Sequence, residues 1–149
     1  MVFNPRELQS PFYRVAARAI VFDDHGRVLV IKDKYQEYEL PGGGWEYDED
    51  FETAIRRELK EEVGVDVQAV GDVAFTYRGF GEWGYWTLRL VAPVSLVHGN
   101  VVSPGDGMIA AHYVTRDEFL TLQWCDEDAA VIHYVDKIWS LVEKKLVKR

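Results

Sequence analysis

The chain has a single cysteine, Cys125, which excludes an internal disulfide framework and any cysteine-rich zinc site. A reducing, cytoplasmic setting is the simplest fit to that scarcity. Basic charge is also short: 17 Lys and Arg stand against 25 Asp and Glu, a formal net charge of −8. Nonspecific nucleic-acid binding needs the opposite sign, so no nucleic-acid partner is expected. No apolar run approaches the ~20 residues of a membrane-spanning helix. The opening stretch from Met1 to Glu7 also lacks the apolar segment of a secretory signal, so no membrane partner is expected either. Repeats, low-complexity tracts and long linkers are missing. The 149 residues therefore read as one domain, 1–149, with residues 1–11 as an N-terminal arm.

What is present suits a folded core, since 48% of the residues are hydrophobic. Residues 12–22 alternate in the manner of a strand. Asp23-Asp24-His25-Gly26 is a turn signal, and residues 27–32 read as the returning arm of a hairpin. Residues 65–78 and 85–94 read as two strands around a glycine-rich loop that holds Phe80 and Trp83. Tyr77 and Trp86 are expected in the core, while Phe80 and Trp83 are exposed candidates for stacking on a nucleobase. Residues 108–114 make a further strand, 116–122 a short helix and 126–147 a long one, with Val131, Val135, Ile138 and Val142 as its apolar stripe. This mixture supports an α/β or α+β domain.

Residues 48–63 have helical periodicity. Phe51, Ala54, Ile55, Leu59 and Val63 form the stripe that docks on a sheet. Asp48 or Asp50 can serve as the N-cap, and Gly64 is placed as a left-handed C-terminal residue. On this helix Glu58, Glu61 and Glu62 fall at i, i+3 and i+4, on a face the sheet does not need. Like charges at that spacing repel by a few tenths of a kcal/mol per pair. A hard dication would relieve that repulsion, because Mg²⁺ is held by a few carboxylates together with substrate phosphates. A solvated acidic face is the plain alternative. Gly43, Glu49 and Arg57 at fixed spacings around the three glutamates turn the preference toward a site.

From Gly43 to Val65 the sequence resembles the Nudix box, the signature of the Nudix (MutT-like) hydrolases, and it matches that pattern at every fixed position. The resemblance implies an α/β/α sandwich around a mixed β-sheet. It implies Glu58, Glu61 and Glu62 as metal ligands for Mg²⁺ or Mn²⁺, joined by the Gly42 carbonyl. Either Glu58 or Glu61 doubles as the base. Arg57 and Glu49 pair to orient the carboxylates. An extra acid before the last core strand, at the place of Asp106, joins the site in some members; an ordinary turn is the plainer reading there. The implied reaction is hydrolysis of a pyrophosphate bond in a nucleoside diphosphate linked to X. Gly43, Arg18, Lys32 and Trp83 are the candidate substrate contacts, with Arg14 beside them, although solvent-facing charge is the plainer reading of each cation. The downstream marks of ADP-ribose, diadenosine-polyphosphate and coenzyme A pyrophosphatases are not evident. A MutT-like pyrophosphatase of nucleoside triphosphates, oxidised ones included, is left as the expected activity. The alternatives are a noncatalytic nucleotide sensor, an isoprenoid-diphosphate isomerase, or a pyrophosphatase of nucleotide sugars or dinucleotides. A homodimer is carried as the candidate assembly.

Overall fold

The structure, a computed structural model, describes residues 4, 7, 12–81 and 84–147. The expectations for most of the 1–11 arm and for Trp83 lie outside those residues. The elements run β1 (Tyr13–Ile20), β2 (Val28–Asp33), β3 (Tyr38–Glu39), β4 (Gly42–Gly44), α1 (Phe51–Val63), β5 (Val67–Val70), β6 (Phe75–Phe80), β7 (Trp86–Leu96), β8 (Met108–Val114) and α2 (Arg116–Thr121). A 3₁₀ helix (Ala129–Tyr134) then leads into α3 (Val135–Val147).

Two sheets make the middle layer. In the larger, β4, β1, β7 and β5 are neighbours in that order and β6 also pairs with β7; β1 and β7 run parallel and the other pairs antiparallel. The smaller is antiparallel, in the order β3-β2-β8. Each side of this layer has its own core. Ala17, Ala19, Leu29 and Ile31 pack with Ala54, Ile55, Leu59 and Val63 of α1. Ile20, Val30, Phe75 and Val91 pack on the other side with Phe119, Val131, Ile138 and Val142. Helices therefore cover both faces of a mixed sheet, as the α/β/α expectation requires. No helix among the described residues is long and apolar enough to cross a membrane.

The structure corrects four expectations. The hairpin of residues 12–32 closes only at its turn, where Phe22 bridges Val28. Both edges of β1 are taken by β4 and β7, so β2 departs to the other sheet. Residues 65–78 form two strands, not one. Both pair with β7, and the break lies opposite Pro93, which has no N–H to give the ladder. Residues 126–147 do not form one long helix. The Asp128 side chain makes no capping bond to the segment that follows it, because its carboxylate is used in the interior. Trp86 is 40% exposed and lies under the Arg78 guanidinium, so it is not core, whereas Tyr77 is buried.

Candidate active site

Helix α1 is anchored at both ends by local chemistry. The Asp50 carboxylate accepts from the Thr53 N–H at 2.7 Å, and Gly64 takes the left-handed conformation at φ 71°. The loop between β7 and β8 completes the C-terminal end. The N–H groups of Ser103, Gly105 and Asp106 donate to the carbonyls of Val63, Glu62 and Glu61. Asp106 thus reaches the end of the carboxylate helix through its backbone.

Arg57 sits at the centre of the acidic face. Its Nη2 and Nε donate to the two oxygens of Glu49 at 2.6 and 3.0 Å. Its Nη1 reaches Glu58 Oε1 at 2.8 Å and Glu61 Oε2 at 3.4 Å, and Nη2 also holds the Gly44 carbonyl at 3.1 Å. These bonds, the fork to Glu49 first, hold the Arg57 pKa above its ordinary value. The expected Glu49–Arg57 pair is therefore made in bidentate form and extends to two of the box carboxylates.

Glu62 is not on a free face, contrary to expectation. It is 6% exposed, and its Oε1 accepts from the Gly42 N–H at 2.7 Å. Burial pushes its pKa up to about 9; Glu39 and Glu58 add to the rise, and Arg18 and the Gly42 N–H oppose it. Gly43 leaves room for Glu58, since a side chain there would begin 2.6 Å from Glu58 Oε1.

This donor set fits a hard dication. The oxygens are carboxylate, and no hydrogen bond among the described residues reaches Glu58 Oε2, Glu61 Oε1 or Glu62 Oε2. Glu62 also needs nearby positive charge to ionise at neutral pH. The three are not drawn into a cluster with all ligand atoms within 4.8 Å of one another; Glu39, Cys125 and Asp128 are. Arg57 Nη1 bridges Glu58 and Glu61. The Gly42 carbonyl, the fourth expected ligand, accepts from Arg18 at 2.9 Å and keeps one lone pair.

Beyond β4 lies a cavity of about 350 Å³ lined by Arg14, Arg18, Gly44, Tyr85, Thr87, Arg89 and Glu127 among others. A second, of about 600 Å³, shares Arg18, Arg89 and Glu127 and adds Tyr35, Glu39 and Cys125. Their floor is a buried ionic network around Asp128, which is fully buried. Asp128 accepts from the Tyr77 hydroxyl at 2.7 Å and from Arg89 Nε at 3.0 Å, with Arg18 Nη2 at 3.9 Å. Burial would raise its pKa, yet Arg18 and Arg89 hold it below the usual carboxylate value. Burial pushes Glu39 up to about 7, with Asp128 and Asp33 adding and Arg18 and Arg89 opposing. The Cys125 thiol is pushed up by burial, Asp128 and Glu39, and its Sγ donates to Asp128 Oδ2 at 3.3 Å. It is no nucleophile at neutral pH. The Glu39–Cys125–Asp128 cluster faces two guanidinium groups and so is satisfied by internal cations.

The sequence-derived candidates thus divide. Glu58, Glu61, Glu62, Arg57, Gly42 and Gly43 come together. Arg18 reaches the same place but turns inward instead of presenting its head to solvent, at 6% exposure. Lys32 lies on β2 with its ammonium 5.1 Å from the centre of the Tyr38 ring, outside the lining of both cavities. Sequence reasoning missed Arg89, Glu39, Glu127 and Asp128. For Arg89 a signal existed, because a lone cation between Leu88 and Leu90 in a strand is unusual.

A family model described as the NUDIX domain matches residues 12–144. A MutT-like protein of Streptomyces ambofaciens is 39% identical over 67 residues; the match takes in 44% of this chain, which spans 44% of the length of that relative. Among solved structures, the MutT protein of Methanosarcina mazei Go1 superposes with a TM-score of 0.70 at 18% identity, over 93% of this chain and 98% of that one. An ADP-ribose pyrophosphatase from Streptococcus suis 89-1591 gives a TM-score of 0.66 at 18% identity, over 87% of this chain and 92% of that one. At such identities the likeness is one of fold.

Proposed function

This chain belongs to the Nudix family, a family of generally divalent-metal-dependent pyrophosphohydrolases, and from that premise we propose that it hydrolyses a pyrophosphate bond in a nucleoside diphosphate linked to X. The products are a nucleoside monophosphate and phosphorylated X. The observation that carries the reading is the meeting of two opposite surfaces at β4. Gly43 touches the Glu58 carboxylate on one side, and Gly44 lies against the Arg14 guanidinium and lines the basic cavity on the other. A phosphate chain lying in that cavity would carry its reacting phosphorus to the carboxylates of α1. The local cations offset the repulsion that a chain of net charge −8 would otherwise exert on a polyphosphate.

When bound, Mg²⁺ or Mn²⁺ would neutralise the phosphates and lower the pKa of an attacking water. Glu58, Glu61 and Glu62 would hold it, with the Gly42 carbonyl. Arg57 keeps Glu58 and Glu61 oriented toward a common point through its bonds to both. The attacking water forms the new P–O bond as the bridging P–O bond breaks. Its proton passes to a free oxygen of Glu58 or Glu61. Arg14, exposed at the rim of the cavity, would face the charge that gathers on the leaving phosphate.

The X favoured here is a phosphate chain, making the substrate a nucleoside triphosphate, an oxidised one included. The MutT-like relative and the basic lining of the cavity support that choice over a nucleotide sugar, ADP-ribose or a dinucleotide. A cytoplasmic location goes with the same reading. The test is a panel of ordinary and oxidised nucleoside triphosphates, nucleotide sugars, ADP-ribose and dinucleotides, assayed with Mg²⁺ for wild type and Glu62→Gln. At least one triphosphate is expected to be cleaved. The variant, which keeps the shape and the acceptor for Gly42, should lose about 100-fold in kcat. No turnover across the panel, or an unimpaired variant, would sink the enzymatic reading.

A further inference from the structure

The residue that joins the two surfaces is Arg18. It lies in the middle of β1, paired across the register with Gly42. Its Nη1 donates to the Leu40 carbonyl at 2.8 Å and to the Gly42 carbonyl at 2.9 Å. The N–H of the same Gly42 donates to Glu62 Oε1 at 2.7 Å. Guanidinium, glycine and carboxylate therefore form one chain of hydrogen bonds. The glycine cannot be exchanged to relax it, because at φ 133° a Cβ would enter the Ala17 carbonyl. On its other side Arg18 faces Glu39 Oε1 at 3.7 Å and Asp128 Oδ2 at 3.9 Å. Its own Nε is buried with no partner among the described residues. Leaving such a donor unmet is costly, so the fold keeps the fork on two carbonyls at the expense of the third nitrogen.

We propose that Arg18 is a positioning residue for the hydrolysis: it fixes the Leu40–Gly42 backbone so that the Gly42 peptide holds Glu62 toward the cation, and it does not itself bind substrate. Its Nη1 and Nη2 groups are turned to two carbonyls and to Glu39 and Asp128. Arg14 is exposed and lines the cavity, so it is the arginine there that can turn to a phosphate. Lysine in place of Arg18 would keep the charge and lose the geometry, because one ammonium cannot hold both carbonyls, as Nη1 does, and also place a second nitrogen toward Asp128, as Nη2 does. That substitution separates position from field. Glutamine would remove both.

The inference rests on the reading of α1 as a cation-holding face, and the test tells the two apart. Mn²⁺ binding without nucleotide is measured by calorimetry for wild type, Arg18→Lys and Arg18→Gln, alongside kcat and KM for the nucleoside triphosphate that wild type cleaves fastest. Arg18→Lys should bind Mn²⁺ about tenfold more weakly and lose about tenfold in kcat, the scale of a lost orienting partner, with KM changed by less than about threefold. Wild type that binds no Mn²⁺ sinks the metal reading and this inference with it. Wild type that binds, with Arg18→Lys indistinguishable from it, sinks the inference alone, whatever Arg18→Gln does. A raised KM at unchanged kcat and Mn²⁺ affinity overturns it too, and makes Arg18 a substrate ligand. If neither variant folds, ¹⁵N-arginine spectra of wild type decide: the Arg18 guanidinium signals should shift on adding Mg²⁺ alone, and a shift seen only with nucleotide overturns the proposal.

Discussion

Two groups of carboxylates, each organised by arginine, stand on either side of β4 and are put to opposite uses. On α1, the acids Glu49, Glu58 and Glu61 share one arginine, Arg57, with Glu62 beside them. In the interior, Glu39, Glu127 and Asp128 face two arginines, Arg18 and Arg89. The first group is partly open, with the Glu61 side chain 48% exposed, and carries a surplus of negative charge. The second is centred on buried Arg18, Arg89 and Asp128 and is closer to balance. Surplus marks the group proposed to take a cation from outside. Balance marks the group that holds the chain together, tying the segment before the 3₁₀ helix to β1 and β7. Coulomb attraction acts in both, but the first is left the shorter of positive charge.

The comparison breaks most visibly at Asp128. Replacing it by Ala leaves Arg18 and Arg89 buried without their shared acceptor, and chemical denaturation should show a loss of about 3–5 kcal/mol. A loss below about 1 kcal/mol would put the interior group on the same footing as a surface pair. Arg57→Ala should do the reverse, with stability changed by less than about 1 kcal/mol because the ion pairs are partly solvated. Its kcat should nevertheless fall by about 10–100-fold, as the orientation of Glu58 and Glu61 is lost. Equal effects of Arg57→Ala on unfolding and on turnover would erase the distinction between the groups.

A smaller effect sharpens it. Glu39 has its pKa raised to about 7 in the fold, from an ordinary value near 4.5. The native state therefore holds the proton more tightly than the unfolded chain. The stability contributed by that proton is present below pH 4.5 and is lost as pH rises through 7. Between pH 5 and 8, wild type should lose on the order of 1 kcal/mol more stability than Glu39→Gln, read from denaturation midpoints. Parallel pH curves for the two proteins would remove Glu39 from the interior group.

How much of this could be read in advance follows from sequence separation. The α1 helix, its Asp50 and Gly64 caps, its apolar stripe and the Glu49–Arg57 pair all lie within one short stretch, where helical periodicity places side chains without reference to the rest of the fold. The same reasoning failed for Glu62. Helical spacing gave its neighbours on the helix, but the covering of that face by β4 depends on the pairing of β1 with β4. Pro93 in β7 carried a legible break in the ladder, visible only once β5 and β6 were known to share that strand. Asp128 drew no reading of its own, because nothing near it in sequence shows that Tyr77, Arg89 and Arg18 converge on it.

The sequence by itself determined a family, a helix that bears carboxylates at cation-holding spacing, and the glycines that let a backbone approach them, because these rest on periodicity and on fixed short-range offsets. Only the tertiary structure decided that Arg18 is buried beneath Gly42, that Glu62 is covered, and that a basic cavity abuts the acidic helix. Those outcomes follow from which strands pair, and pairing joins residues such as 18, 42, 89 and 128 through long-range contacts that no local pattern encodes.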